Sequence, residues 1–488
     1  MKAKDDIFRL IKTMSHGEKR LFKATVPEDA RDSNYTRLFD AIDKQNEYDE
    51  NKIKLKFAGE KFIRHLPAEK NYLLNNILKM LRNFPEDGRI AQAIMLSACE
   101  AEVLFSKGLF EPALLKITKA IAEAGKYECF GLCLELMQLE RRILLLSNQE
   151  HALVRLKKWH TDFKKLLAQQ ENLGQFILIN TELFLLSRTS GSMLSTSVQK
   201  NYRRLVSTGV MKDRTRALSA SAELIYHQHK LGYAIAISDI PGALKHSDDF
   251  IHFISKYPAL IEKFPQNYIT ALYNNIVLLT QSKKYAEAEK VLKQLQDFPR
   301  PFSIQLTPAI EKMKFQRVVN HRIELLTFQA NTRNVESEVD SIKAELAESK
   351  NFVSDYFVVT LHFNFAVLFF SIKNYSAALK ELEYILSRKK QSLASDYKEY
   401  ARLLLLFVHF EKGNYELLPY LIRSHRLSGV DGIRQLLLDL VLQLSKTENA
   451  VELRKIYLEF KTVYDTHPEK KAVQQYLDFS GWLAGKLA

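Results

Sequence analysis

At 488 residues the chain exceeds the size at which a single hydrophobic core keeps growing, which leaves several domains or an elongated repeat stack. Only 16 residues are Gly and 12 are Pro, too few to supply the turns of a sheet-rich fold or a set of phosphate loops, so an all-α chain is expected. The 71 Lys and Arg against 57 Asp and Glu give a formal charge of +14, which points to an acidic partner surface or to nucleic acid rather than to a basic ligand.

Residues 1–88 are expected to form a small module of short helices. Ile7, Phe8, Leu10, Ile11 and Met14 make one apolar face, and Ser15-His16-Gly17-Glu18 has the spacing of a capping box that opens the next helix. A third helix from Ser33 or Asn34 carries Leu38, Phe39 and Ile42. Asp49 caps a fourth with Ile53, Leu55 and Phe57, and Asn71 to Phe84 forms a fifth with Leu74, Ile77, Leu78 and Leu81.

From about Ile90 the rhythm changes to long helix pairs, so residues 89–488 are expected to form the second domain, with capping helices at its C-terminal end. Turns align at Lys107-Gly108-Leu109-Phe110, Asp239-Ile240-Pro241-Gly242, Lys284-Tyr285-Ala286, Asn374-Tyr375-Ser376 and Gly413-Asn414-Tyr415, with weaker ones near Asn148, Ser190, Asn331 and Glu448. Their spacing of roughly 34 to 51 residues overlaps that of helical solenoids. The clearest copy runs from Phe352 to Arg388: an apolar helix, a turn at Lys373-Asn374-Tyr375, and a helix with Ala378, Leu379, Leu382, Ile385 and Leu386 on one stripe. Lys380, Glu381, Glu383 and Arg388 fall mostly off that stripe and read as polar-face residues.

An aromatic residue at the turn with a small residue two or three positions later resembles the tetratricopeptide repeat, best over Gln281 to Leu295 and Ile372 to Leu386. Several units are longer than the 34-residue standard and the full repeat signature is nowhere complete. The resemblance implies a right-handed α-solenoid of divergent TPR-like helical hairpins. The stretch FRLIKTMSHGEKRLFK and the following NYTRLFDAIDKQNEYDE also resemble the start of a set of helical-repeat proteins of Bacteroidota, a resemblance that extends to about Phe84 and implies no biochemical activity.

Basic character is regional. Between Glu150 and Ala217 there are 12 Lys or Arg against five acids, half of the whole surplus in one-seventh of the chain, whereas Ala217 to Pro299 is balanced. On the helix expected from about His151 to Glu171, Lys157 and Lys164 align seven apart, as do Lys158 and Lys165, beside an apolar face carrying Trp159 and Phe163. Lys200, Arg203 and Arg204 cluster on a following helix. These seven residues are the candidate partner-binding set.

No Walker loop, dinucleotide fingerprint, zincin pair or nucleophile elbow occurs, so no catalytic, cofactor-binding or metal-ligating residue is assigned and no cofactor is expected. Cys129 and Cys133 share a helical face but read as packing residues, and His227 and His229, two apart, point to different sides of a helix. Trp159 and Phe163 read as core rather than as a base-stacking platform. Three cysteines without a disulfide framework indicate a reducing compartment, and neither a signal-type core nor a membrane-length apolar run is found, so a cytoplasmic location is expected.

The expected function is a non-catalytic interaction scaffold that binds a protein partner through a solenoid surface with a basic centre. A nucleic-acid or ribonucleoprotein-binding regulator is the alternative, and an enzyme with a pocket assembled from several repeats is a third. The segment from Gln474, with Tyr476, Phe479 and Trp482, is expected to cap the last repeat.

Overall fold

The computed structural model describes residues 6–25, 33–45, 47–83, 90–146, 152–189, 196–302, 304–329, 334–348, 354–388, 395–426, 432–447, 449–467 and 479–487. Every regular element among them is helical. No helix of the described residues is long and apolar enough to cross a membrane. The turns expected near Asn148, Ser190, Asn331 and Glu448, and Tyr476, lie outside the described residues. The chain divides into two compact units, Met1–Gly174 and Gln175–Ala488.

The first unit opens with α1 (Asp6–Thr13), α2 (His16–Thr25), α3 (Asn34–Asp43), α4 (Glu50–Lys56) and α5 (Leu66–Asn83). The capping box forms as its spacing demands: Glu18 N donates to Ser15 Oγ at 3.1 Å and Ser15 N donates to Glu18 Oε2 at 2.8 Å. Asp49 likewise accepts from the backbone of Asn51 and Lys52. Ile11, Phe22, Leu38, Phe39, Ile42 and Ile77 close a core of their own. Leu55 departs from expectation, being 76% exposed, because its neighbour Ile53 takes the buried position on that short helix. α5 begins at Leu66, earlier than its apolar pattern shows, since Pro67 suits the first helical turn. Helices α6 (Ile90–Ser106), α7 (Phe110–Lys126), α8 (Phe130–Leu146) and the first part of α9 (Ala152–Thr189) complete this unit, with a separate core of Ile94, Ala113, Ile117, Ala124 and Ile143.

The second unit contains the rest of α9, then α10 (Thr196–Ser207), α11 (Ala220–Ala236), α12 (Ile240–Ser255), α13 (Pro258–Lys263), α14 (Pro265–Gln281), α15 (Tyr285–Asp297) and α16 (Pro308–Gln329). It continues through α17 (Val335–Glu348), α18 (Asp355–Ser371), α19 (Tyr375–Ser387), α20 (Ser395–Glu411), α21 (Leu418–Arg426), α22 (Gly432–Leu444), α23 (Ala450–Thr466) and α24 (Phe479–Leu487). The pairs α11/α12, α14/α15 and α18/α19 pack closely. α16 is apolar on two sides: Val318 and Leu325 join the core of α11–α15, while Val319 and Ile323 join that of α17–α24.

One turn recurs. Gly108, Glu128, Ser238, Lys283, Lys373 and Gly413 all have positive φ, between 49° and 75°. After each, the next backbone N–H donates to the carbonyl five residues back: Leu109 to Leu104, Cys129 to Ala124, Asp239 to Ala234, Lys284 to Leu279, Asn374 to Phe369 and Asn414 to His409, at 2.8–3.0 Å. This is the Schellman closure, which satisfies carbonyls that the helix end leaves open. Five residues after the left-handed position stands a small, fully buried side chain in five of the six turns: Ala113, Cys133, Ala243, Ala288 and Ala378. The sixth carries Leu418, and there the chain passes through a 3₁₀ turn, Tyr415–Leu417, before α21 begins. Three turns are also clasped by ring pairs of identical spacing, Phe105/Phe110, Phe370/Tyr375 and Phe410/Tyr415, with centroids 5.6–5.9 Å apart.

Side-chain bonds recur at a matching interval. Arg142 to Glu102 spans 40 residues, Asn374 to Glu336 and Lys343 to Glu381 span 38, and Tyr375 to Glu411 and Lys412 to Ser376 span 36. Each ties one helical hairpin to its neighbour.

A relay running from buried Tyr202 and His229 out to exposed Asn180 joins three helices of the second unit. Tyr202 on α10 lies 3.2 Å from His229 Nδ1 on α11, and His229 Nε2 lies 2.9 Å from Asn180 Oδ1 on α9. Burial holds the imidazole down to about 4, so it is neutral at pH 7, donating from Nε2 to Asn180 and accepting at Nδ1 from the Tyr202 hydroxyl. Gly232 makes the approach possible, since a Cβ there would stand 2.3 Å from the Tyr202 hydroxyl.

Two outcomes follow from these features. Gly413→Ala adds a Cβ that meets nothing, so its effect is conformational only, and chemical denaturation should show a loss of about 1 kcal/mol. Because His229 is protonated far more readily in the unfolded chain, its contribution is full above about pH 6.5 and is lost as pH falls toward 4. Denaturation at pH 7 and pH 5 should therefore show an acid loss of about 2 kcal/mol more for the parent chain than for His229→Gln.

Candidate functional site

The structure presents the candidate cations as exposed side chains on two helices. On α9, Leu156, Trp159, Phe163 and Leu166 turn inward, which leaves Lys157, Lys158, Lys164 and Lys165 exposed on the opposite side. Leu156 and Leu166 join the core of α6–α8. Trp159 stacks on Phe163 with centroids 4.8 Å apart and donates from its indole nitrogen to the Met137 carbonyl at 2.7 Å. These rings are therefore occupied by their own packing. On α10, Tyr202, Leu205 and Val206 are buried while Lys200, Arg203 and Arg204 are exposed.

None of the seven forms an ion pair or a side-chain hydrogen bond among the described residues. Their neighbours differ in this respect: Arg155 lies 3.7 Å from Glu140, Arg214 pairs with Glu223, and Arg216 donates to the Gly209 carbonyl. The α9 lysines belong to the first compact unit and the α10 cations to the second. The α9 ridge is interleaved with aliphatic side chains, because Leu153 and Val154 are each 68% exposed and Leu167 is 46% exposed. A charge ridge with that much apolar surface is chemically unlike a purely hydrophilic face.

The other singled-out residues resolve into packing roles. Cys133 occupies the small-residue position of its turn, and burial raises its thiol to about 11, which keeps it protonated. His227 stacks on Phe253 at 4.9 Å, on a different side of α11 from His229. Among the described residues no group of three or more His, Cys, Asp or Glu side chains stands close enough to share a metal ion.

Two polar centres were not legible as such in the sequence. Glu381, expected on a polar face, is only 5% exposed. Its oxygens accept from Lys343 at 2.5 Å and lie 2.6 Å from His362 Nδ1, whose ring stacks on Tyr384 at 3.7 Å. Burial alone would raise this carboxyl, but the bonds from His362 and Lys343 reverse the effect and hold it below its ordinary value. The second centre is Glu411, at the last position of α20, on which Tyr375, Trp482 and Lys486 converge at 3.2, 2.8 and 2.9 Å. Burial and the adjacent carboxylate push the Tyr375 phenol up to about 12. An acid at a helix C-terminus opposes the helix dipole, and that misplacement is the one sequence signal that a cation must be supplied from elsewhere.

Comparison of the chain with protein-family models, with curated proteins and with solved structures gives no match.

Removing the Glu381 carboxylate leaves His362 and Lys343 without their acceptor. Glu381→Ala should cost about 3 kcal/mol in equilibrium denaturation, and Glu381→Gln, which keeps an acceptor oxygen, clearly less.

Proposed function

We propose that this chain is a non-catalytic interaction scaffold whose helical hairpins stack as a divergent, right-handed TPR-like solenoid, and which holds an acidic, amphipathic segment of a protein partner on the exposed side of α9. The recurring left-handed turn and the side-chain ladder at intervals of 36–40 residues support the repeat reading. The observation that carries the function is the mixed surface of α9, where Lys157, Lys158, Lys164 and Lys165 form no ion pair among the described residues, Lys158 acting on Glu140 only through space, and alternate with exposed Leu153, Val154 and Leu167. Such a face suits a helix with acidic and aliphatic side chains, since charge sets orientation and approach while apolar contact holds the complex.

Nucleic acid is the weaker occupant. Base stacking is the usual complement to a phosphate-binding ridge, and the rings closest in sequence, Trp159 and Phe163, stack on each other. The α10 cations Lys200, Arg203 and Arg204 form a second basic surface, and a cytoplasmic location accords with the free cysteines.

Fluorescence anisotropy with a labelled acidic amphipathic peptide, and with a single-stranded oligonucleotide of equal charge, separates these readings. The double substitution Lys157→Glu and Lys164→Glu should weaken peptide binding at least tenfold, and Leu153→Ser should weaken it severalfold without changing its salt dependence. Tighter binding of the oligonucleotide, with a steep loss of affinity as salt rises, would transfer the assignment to nucleic acid. Peptide affinity unchanged by both substitutions would remove α9 from the proposal.

A further inference from the structure

A cavity of about 560 Å³ opens in the second unit between α16, α18, α20 and α24, within the size range of small-molecule sites. Its apolar walls are Val367, Phe370, Leu404, Phe479 and Trp482. On α24 the side facing it carries Gly481 and Gly485, four residues apart and thus neighbours on one helical face. A Cβ added at Gly485 would meet no atom within 4 Å, so the space there is open and no packing contact requires the glycine. In a helix interior each glycine costs about 1 kcal/mol relative to alanine, a cost that filling the space would remove.

The charges around the cavity indicate what it accepts. Glu411 already receives the Tyr375 hydroxyl, the Trp482 indole N–H and the Lys486 ammonium, the last at 2.7 Å from its second oxygen. It is neutralised and its lone pairs are used, so it offers little to a cationic or donor-rich ligand. Ser371 and Thr327 donate to the carbonyls of Leu368 and Ile323. Lys373 is different. It lines the cavity, is exposed, and has neither an ion pair nor a side-chain hydrogen bond among the described residues. The turn fixes its position, because its φ of 63° belongs to the recurring left-handed closure and its backbone N–H is tied to Phe370. The one uncompensated formal charge lining the cavity is thus positive, at the edge of an aromatic and aliphatic pocket.

We propose that this cavity binds a small organic acid with an apolar body, the hydrocarbon or aromatic part lying between Phe370, Leu404 and Trp482 and the carboxylate pairing with Lys373. This site is independent of the α9 surface.

Calorimetric titration of the full chain with 4-phenylbutyrate, octanoate and indole-3-acetate, and with the neutral alcohol 4-phenylbutan-1-ol, tests it. Saturable 1:1 binding of at least one acid is expected, tighter than that of the alcohol. Gly485→Leu, which projects into the open space and favours the helix, should weaken binding at least tenfold, and Gly485→Ala should weaken it less. Lys373→Asn, an exchange that tolerates the left-handed backbone, should weaken the acids at least fivefold and leave the alcohol unchanged, with Lys373→Arg restoring the preference. Failure of all three acids to bind would overturn the proposal, as would binding indifferent to Gly485→Leu in a variant whose melting is unaltered. Equal loss of acid and alcohol in Lys373→Asn would overturn the carboxylate assignment.

Discussion

The structure depends on how closely two consecutive helices approach at their connecting turn. A left-handed residue reverses the chain within the space of one Schellman closure, and the second helix then presents its fifth following position directly to the first helix. Where the second helix begins at once the side chain there is of alanine or cysteine size and almost completely buried, as at Ala113, Cys133, Ala243, Ala288 and Ala378, and the larger Leu418 is accommodated where a 3₁₀ turn intervenes. Both halves of this constraint are local, and each repeats without help from distant residues. The longer-range order comes from the polar ladder that ties successive hairpins, such as Lys343 with Glu381 and Tyr375 with Glu411, and from Asn275 with Ser247 and Asp248, while Arg322 with Glu338 and Glu345 ties the consecutive helices α16 and α17.

Much of this was legible in the sequence for a physical reason. Gly108 and Gly413 announce the left-handed backbone, and Tyr285 and Tyr375 followed by alanine announce the closure, so the Lys373-Asn374-Tyr375 turn falls where the pattern places it. The turn at Glu128 escaped notice because neither signal is present: a glutamate takes the left-handed position and Cys133 serves as the small residue. The exposure of Lys157, Lys164, Arg203 and Arg204 was equally readable from helical spacing. What spacing cannot reveal is which charge is answered by a residue dozens of positions away. Glu381 reads as one more acid on a helix, and its burial becomes evident only when Lys343 and His362 are brought to it.

The distribution of answered and unanswered cations distinguishes scaffold from surface. Arg142, Lys343, Arg322 and Lys486 all have carboxylate partners on neighbouring helices and are spent in holding hairpins together. Lys157, Lys164 and Lys165 of α9 are not, Lys158 acts on Glu140 only through space, and their aliphatic companions remain outside any core. A helix with so little segregation of polar and apolar faces covers the core of α6–α8 on one side and leaves a second mixed face to solvent.

The bond from Trp482 to Glu411 spans 71 residues, nearly twice the interval of the hairpin ladder. In a chain whose helices mostly contact their sequence neighbours, such a link gives the end of α20 a partner from far along the sequence. The acid at the end of α20 stands at the unfavourable pole of its own helix, and α24 is what brings the Trp482 and Lys486 donors to it. The rings of Phe407, Phe410 and Tyr457 around Trp482 join α20, α23 and α24, so that α24 is held by side chains supplied well before it in the chain.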